Sequence, residues 1–224
     1  MVIQVARSGG GPRPATASTS IELGKFQTAK VGSFHPAVTA GAGITVLAYA
    51  GSFALYTYIS PILLQVTYVT ERTSSLLMLG YGVMAAIGNV WGGRLTDRKG
   101  ADAAVMTVLV GLVAALLAIW LSASSLPLMV LLTGLLGALT YAAVPALQAR
   151  VIGLSHAQAP QAPAVAAGLN IAGFNGGIAL GSLLGGASLE AMGLTSTAWV
   201  GAVAVGLGIV WMLWQMQRPA FSAA

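Results

Sequence analysis

The chain contains no cysteine and only two histidines, His35 and His156, among its 224 residues. Disulfide bonds, thiol catalysis and thiolate metal ligands are therefore excluded, and two histidines so far apart in sequence do not predict a metal site. Charged residues are also scarce at 7%, whereas hydrophobic residues make up 57% and the mean hydropathy is +0.85. Because so few polar side chains cannot cover a water-soluble globule, the composition predicts a protein of the lipid bilayer.

Motifs of enzyme chemistry are missing as well. The chain has no Gly-x-Ser-x-Gly nucleophile, and the neighbouring Ser155 and His156 are interpreted as ordinary loop residues rather than half of a catalytic dyad. Glycine pairs such as Gly41-x-Gly43 lack the third glycine of a dinucleotide-binding loop and lie in apolar segments. We therefore expect no enzymatic activity, no cofactor and no bound metal.

Six apolar segments divide the chain. They run from about Val38 to Leu64, Ser75 to Gly93, Ala103 to Leu121, Leu126 to Leu147, Pro163 to Leu189 and Ala198 to Met216. A transmembrane helix needs roughly 20 apolar residues, and none of the segments alternates in the manner of a barrel strand. The sequence therefore predicts an all-α, multi-pass bundle of six transmembrane helices over residues 36–218. A flexible cytosolic linker at 1–35 and a cytosolic tail at 219–224 are expected to flank it.

The basic residues predict the orientation of this bundle. With six crossings both termini lie on one side, and nine of the ten basic residues fall on that side. These nine are Arg7, Arg13, Lys25, Lys30, Arg94, Arg98, Lys99, Arg150 and Arg218. Because Lys and Arg are enriched in cytoplasmic segments, both termini are expected in the cytoplasm. The net charge of +5 then reflects topology and indicates no binding of nucleic acid.

Two apolar stretches repeat the same pattern 93 positions apart, one from Gly80-Tyr81 and the other from Gly173-Phe174. The glycines expected at helix contacts are Gly88, Gly92, Gly173, Gly177, Gly181 and Gly185. With three helices per repeat the second copy crosses in the opposite sense, so the pattern predicts inverted three-helix repeats, an architecture typical of secondary transporters. The glycine faces let helix backbones approach closely, either for packing alone or for sliding during a transport cycle.

A polar face on the first helix provides the candidate substrate cavity, because its side chains recur at steps of three or four residues. The candidates on this helix and on the fourth and fifth helices are Tyr49, Ser52, Tyr56, Thr140, Tyr141, Asn170 and Asn175. A stripe of hydroxyls facing lipid is unfavourable, so this face is expected to meet protein or a water-filled cavity. The alternative is helix packing through hydrogen bonds, and for the two asparagines the sequence favours neither.

A short motif follows the second helix and is interpreted as a cytosolic loop over residues 93–100. The segment resembles the cytosolic loop signature of the major facilitator superfamily. The matching positions are Gly93, Leu95, Asp97, Arg98 and Gly100. Thr96 replaces an alanine of the signature, and Ala101-Asp102 replaces its basic pair. A basic loop that serves topology alone is the alternative interpretation.

The segments from Tyr56 to Pro61 and from Gly88 to Leu95 are similar to the bacterial drug and sugar efflux branch of that superfamily, the arabinose-efflux-permease-like group. The resemblance covers residues 36–218 and corresponds to the carboxy-terminal six of the family's twelve helices. It implies a secondary active transporter of the bacterial cytoplasmic membrane that exports a small molecule, such as a drug or sugar, by alternating access. It further implies that Asp97 and Arg98 belong to a conformational latch with the opposite half.

Six helices would supply only one wall of such a cavity. Besides the lipid bilayer and a small-molecule substrate, we therefore expect a second six-helix bundle as partner. It is either the missing amino-terminal half of a carrier, the preferred interpretation, or another copy. All five acids lie outside or at the ends of the apolar segments, so no proton carrier is predicted at mid-membrane. The alternative function is a six-helix structural or regulatory subunit without transport activity of its own.

Overall fold

The protein is an all-helical bundle in the computed structural model, which describes residues 35–160 and 163–218. Its helices are α1 (Pro36–Tyr56), α2 (Ile59–Gln65), α3 (Glu71–Lys99), α4 (Ala101–Ser122), α5 (Leu126–Gln158), α6 (Pro163–Met192) and α7 (Ser196–Met216). Six spans are long and apolar enough to cross a membrane, the first formed by α1 and α2 together. The prediction of an all-α, multi-pass bundle is therefore confirmed, and no strand occurs in the described residues.

The predicted linker at 1–35 and tail at 219–224 lie outside the described residues, apart from His35. The His35 Nδ1 accepts a hydrogen bond from the backbone N–H of Ala37 at 3.3 Å. Pro36 occupies the first helical position, where its missing N–H removes no intrahelical bond. This cap and this proline explain why α1 begins here.

The first span is interrupted at Thr57 and Tyr58, between α1 and α2. Pro61 lacks the N–H that would bond to the Thr57 carbonyl, so the regular helix is broken one turn before the proline. Side chains stabilise the break: the Thr57 hydroxyl donates to the Phe53 carbonyl at 2.8 Å, and the Tyr58 hydroxyl donates to the Ser182 carbonyl of α6 at 3.0 Å. The break is therefore held against a neighbouring helix.

Pro145 behaves differently, because it lies inside α5, which continues to Gln158. The sequence prediction that this span ends near Leu147 was therefore wrong. Beyond the proline, Val151 and Leu154 are fully buried in a small cluster with residues of α1 and α6. This packing stabilises the part of α5 that extends beyond the apolar segment identified from the sequence.

The predicted loop at residues 93–100 is also mostly helical, which corrects the sequence interpretation. Helix α3 continues to Lys99, and Gly100 alone separates it from α4. Two features explain why the helix continues through this segment. Arg98 and Lys99 interact favourably with the carboxyl end of the helix, and Leu95 packs into the bundle with 9% exposure. Gly100 has φ of +80°, a conformation that favours glycine.

The helices are arranged as two interlocked repeats. Helices α1 and α5 are central; α6 packs along α1, and α3 packs along α5. On the other side, α7 contacts α1 and α4 contacts α5, while α4 and α7 also contact each other. The main contacts between the two repeats thus occur in equivalent pairs, as expected for a duplicated bundle.

The two most extensive helix pairs, α3 with α5 and α1 with α6, meet through glycines. The paired positions are Gly173 with Ala42, Gly177 with Val46, Gly181 with Ala50, Gly185 with Ala54, Gly88 with Ala138 and Gly92 with Ala142. A Cβ on Gly177 would come within 2.7 Å of the Val46 carbonyl oxygen. Residues with a side chain would therefore force these backbones apart.

Candidate functional site

A pocket of about 560 Å³, here called the tyrosine pocket, lies between α1, α3 and α5. Its lining residues are Tyr56, Met78, Tyr81, Gly82, Ala85, Ala86, Asn89 and Tyr141. The pocket lies near the mid-depth of the bundle. Its lining residue Ala85 is the central residue of α3, and its lining residue Tyr141 is next to Ala142, the central residue of α5. No charged residue lines it, and the described residues contain no cluster of metal-binding side chains. A lining that combines apolar and aromatic surfaces with a few polar groups is typical of small-molecule sites.

A row of aromatic rings extends from the α1–α6 contact into the tyrosine pocket. The rings follow one another in the order Phe174, Tyr49, Phe53, Tyr56, Tyr81 and Tyr141. Neighbouring centroids lie 4.6 to 6.4 Å apart, within the range in which aromatic pairs attract each other. The rings of Tyr81 and Tyr141 meet at 80° and thus form a corner in the pocket wall.

Of the hydroxyl-bearing sequence candidates, Tyr56 and Tyr141 line the pocket. The Tyr49 hydroxyl donates to the backbone carbonyl of Thr140 at 3.4 Å, and the Ser52 hydroxyl donates to a carbonyl of its own helix at 3.0 Å. The side chains of Tyr49, Ser52 and Thr140 are all buried. These three residues therefore contribute to packing behind the pocket wall.

The two candidate asparagines lie away from the pocket lining. Asn170 is fully buried: its Oδ1 accepts a hydrogen bond from the Thr45 hydroxyl at 2.6 Å, and its Nδ2 donates to Gln148 Oε1 at 2.7 Å. The amide thereby connects α1, α5 and α6. Asn175 is exposed on α6 and donates to the Ile171 carbonyl of the same helix at 2.9 Å.

Tyr81 is central to the pocket but was not among the sequence candidates. Its side chain is only 4% exposed. Its hydroxyl is buried and interacts with the neighbouring Thr140 hydroxyl of α5. The sequence repeat could have pointed to Tyr81. Tyr81 and Phe174 occupy equivalent positions of the two copies, and both belong to the aromatic row.

The charged residues near the α3–α4 junction divide into two groups. Asp97 and Arg98 are exposed, and neither forms an ion pair within residues 35–160 and 163–218. Asp102, in contrast, accepts a hydrogen bond from Arg150 Nε at 2.6 Å. Arg150 is 1% exposed, and its two terminal nitrogens have no hydrogen-bond partner in the described part of the chain. The sequence alone does not reveal this ion pair, because its two residues are 48 positions apart.

Comparison with known proteins agrees with this architecture. The family model of the Major Facilitator Superfamily matches residues 41–223. The chain is 38% identical over 172 residues to the MFS-type transporter YtbD of Bacillus subtilis (strain 168), covering 76% of the chain and 43% of that protein. It is 35% identical over 177 residues to the inner membrane transport protein YdhP of Escherichia coli (strain K12), covering 79% and 44%. Identity to the probable sugar efflux transporter of Mannheimia succiniciproducens is 27% over 169 residues, covering 75% and 41%. The chain thus spans less than half the length of these relatives.

Proposed function

The chain belongs to the Major Facilitator Superfamily, and on this premise we propose that it exports a small molecule across the membrane by alternating access. Members of this family are transporters and not enzymes. The observation that carries the proposal is the tyrosine pocket, which combines a position at mid-depth, aromatic faces and hydrogen-bonding groups. Transporter sites lie near the bilayer midplane, between the repeats. The direction of export is supported by the similarity to a probable sugar efflux transporter.

A second six-helix bundle is part of this proposal, because it would close the open side of the pocket. In the apolar parts of α3 and α6, only 22% and 28% of the residues are buried, compared with 67% in the first span. Both helices expose small or polar residues, among them Gly82 and Asn89 on α3 and Asn175 and Gly176 on α6. Such faces suit contact with another helix. Another part of a longer polypeptide or a second copy of the chain would supply the bundle.

The proposal also includes the orientation of the bundle in the membrane and a role for the motif at residues 93–100. The excess of basic residues on the side of the termini supports a cytoplasmic location for both termini and for the α3–α4 junction. Asp97 and Arg98 would then contact the second bundle on the cytoplasmic side and act as a latch between transport states. Their exposure, and the lack of an ion-pair partner in the described ranges, leaves both side chains available for this contact.

Single cysteines test the pocket, because the chain has no native cysteine. Ala86 lines the pocket, whereas Ala114 is an exposed alanine of α4 outside it. In membranes of cells that express the natural reading frame, a charged thiol reagent should modify Ala86→Cys much faster than Ala114→Cys. The reason is that only the first position borders a water-accessible cavity. Equal rates at both positions would contradict the proposed cavity.

Everted membrane vesicles from the same cells test transport itself. Export from the cell appears there as uptake, and modification of Ala86→Cys should block this uptake while modification of Ala114→Cys leaves it unchanged. The uptake should depend on an ion gradient, as secondary active transport requires. If Ala86→Cys is accessible but no compound of a chemically diverse panel is taken up, the six-helix subunit without transport activity becomes the better interpretation.

A further inference from the structure

We infer that a second pocket, here called the junction pocket, binds an anionic phospholipid of the membrane leaflet on the side of the α3–α4 junction. The pocket has a volume of about 720 Å³. Its lining residues are Lys99, Gly100, Ala101, Asp102, Ala103, Met106, Thr107, Val110 and Met216. The inference goes beyond the proposed transport function, because it requires only that the bundle crosses a membrane.

The lining of the junction pocket changes from polar to apolar along α4. Lys99 and the first turn of α4 form one end, and Met106 and Val110 lie further along the helix, four residues apart. Met216 of α7 adds to the apolar part. Since residues four apart lie on one helix face, these side chains form a strip that leads from the polar end towards the middle of the span. A phospholipid has the same order of groups, a phosphate followed by acyl chains, whereas a free phosphate would leave the strip uncovered.

The charges at the polar end favour an anion. Lys99 is exposed and forms no ion pair in the part of the chain that the structure describes. Asp102 also lines the pocket, but its carboxylate is paired with the buried Arg150, whose Nε lies 2.6 Å from the Asp102 Oδ1. No other acidic side chain is in the lining. The lysine therefore remains as the uncompensated charge, and it would attract a phosphate but repel a cationic headgroup such as choline.

The start of α4 offers backbone donors to the same phosphate. The Ala104 N–H donates to the Gly100 carbonyl at 3.1 Å, and no side chain caps the helix. The N–H groups that precede this bond are those that a helix leaves without an intrahelical partner. They belong to residues 101–103, all of which line the pocket. A phosphate beside Lys99 would therefore find a cation and backbone N–H groups together.

The surface around the junction pocket is of the kind that contacts lipid. Tryptophan is enriched where a membrane meets water, and Trp211 and Trp214 are exposed near the carboxyl end of α7. Nearer the middle of the spans, α4 and α7 expose large apolar side chains. These are Val110 and Leu117 of α4 and Val203, Leu207 and Val210 of α7. The small and polar faces proposed for the second bundle belong to other helices, α3 and α6. The pocket is thus placed at the depth of the lipid headgroups.

Protection of a single cysteine tests the inference in the purified product of the natural reading frame, held in detergent micelles. Ala103→Cys places a thiol at an exposed position of the lining, and an uncharged thiol reagent modifies it. Ala164→Cys is the control, because Ala164 is an exposed alanine in the first turn of α6, outside the pocket. The protein without an introduced cysteine provides the blank.

Three lipids with the same acyl chains are added to the micelles and compared. Dioleoylphosphatidylglycerol is anionic, dioleoylphosphatidylcholine is zwitterionic and dioleoylglycerol lacks the phosphate; inorganic phosphate without lipid is the fourth probe. We expect the anionic lipid to half-protect Ala103→Cys at a mole fraction at least about fivefold lower than either other lipid, which is the effect of one basic contact. Inorganic phosphate should not protect, and no probe should protect Ala164→Cys.

Two pairs of variants, built on Ala103→Cys, separate the headgroup from the acyl chains. Lys99→Gln should raise the half-protecting mole fraction of the anionic lipid about fivefold and leave that of dioleoylglycerol unchanged. Arg72→Gln removes an equal charge from an exposed site at the other end of α3 and should change neither. Val110→Thr adds a hydroxyl to the apolar strip and should weaken protection by every lipid at least about twofold. Val203→Thr should not, because Val203 is similarly exposed, 51% against 52% for Val110, but lies outside the pocket.

Several results would overturn the inference while leaving the proposed transport function in place. Equal protection by all three lipids would remove the role of the anionic headgroup, and an unchanged response in Lys99→Gln would remove that of Lys99. Protection by inorganic phosphate alone would indicate a site for a free anion. Equal protection of Ala164→Cys would indicate adsorption without a site. If the reagent cannot reach Ala103→Cys without added lipid, another part of the polypeptide covers the pocket.

Discussion

Replacing Gly177 by alanine should loosen the contact between α1 and α6, whereas the same change at the adjacent Gly176 should not. A Cβ on Gly177 would lie 2.7 Å from both the Val46 carbonyl oxygen and the Tyr49 Cβ. Ordinary contact begins at 3.4 Å, so the two helices have to separate locally by 3.4 − 2.7 = 0.7 Å. A Cβ on Gly176 meets nothing within 4 Å. Both variants therefore add the same methyl group to the same helix at nearly the same depth. Only the methyl group at position 177 collides with a neighbouring helix.

The expected magnitude follows from the cost of overpacking, which is about 1–3 kcal/mol. For a chain of this size, 1 kcal/mol corresponds to about 2–4 °C in Tm, so Gly177→Ala should lower Tm by roughly 2–12 °C. Gly176→Ala should leave the free energy of unfolding within about 0.5 kcal/mol, or raise it by up to ~1 kcal/mol through the better helix propensity of alanine.

Thermal unfolding of the purified chain in detergent micelles, followed by far-UV circular dichroism, measures this difference. The repeat supplies an independent second pair: a Cβ on Gly92 would lie 2.6 Å from the Ala142 Cα, whereas one on Gly93 meets nothing within 4 Å. Gly92→Ala should therefore destabilise and Gly93→Ala should not. Equal Tm values within either pair of variants would refute the argument that these glycines set the helix spacing.

Four further outcomes are expected. Impermeant reagent applied to intact cells should label a cysteine at Thr70 but not one at Ala101, and labelling of Ala101 alone would reverse the topology. Asp102→Asn leaves the buried Arg150 without its counter-ion and should destabilise the chain by about 2–3 kcal/mol in chemical unfolding, whereas an unchanged midpoint would exclude a structural ion pair. Asp97→Asn should leave stability and insertion unchanged but alter transport rate in vesicles; unchanged flux reduces Asp97 to a topology residue. The 224-residue chain reconstituted alone should show no uptake driven by a pH gradient, and such uptake would favour a transporter built from two copies.

The fold class and the number of spans could be predicted from the sequence, because the bilayer leaves few choices. Without water to pair with, each backbone N–H and C=O must be satisfied inside its own helix, so length and apolarity suffice to identify a span. The duplication was also visible, since Gly88 and Gly92 recur at Gly181 and Gly185. These glycines indicated close helix contacts, although the sequence did not identify the partner helices.

The ends of the helices were predicted less well, because apolarity marks the hydrocarbon layer and not the length of a helix. Helix α5 continues eleven residues beyond the predicted end at Leu147, to Gln158, supported by buried residues such as Val151 and Leu154. Helix α3 likewise continues through the predicted loop as far as Lys99. Polar residues can be helical outside the membrane core whenever one face of the helix packs against the bundle.

The sequence by itself thus determined an apolar, duplicated, six-helix membrane protein with a polar face on its first helix. Only the tertiary structure decided which polar side chains of the bundle line a common pocket. It placed Tyr56 and Tyr141 in the pocket wall, added Tyr81 and joined Asp102 to Arg150. The physical reason is that a helical period defines the faces of one helix, whereas contacts between faces depend on the packing of helices that are distant in sequence. Backbone hydrogen bonding is local and can be inferred from the sequence, but a pocket is defined by side chains that meet only after the bundle has assembled.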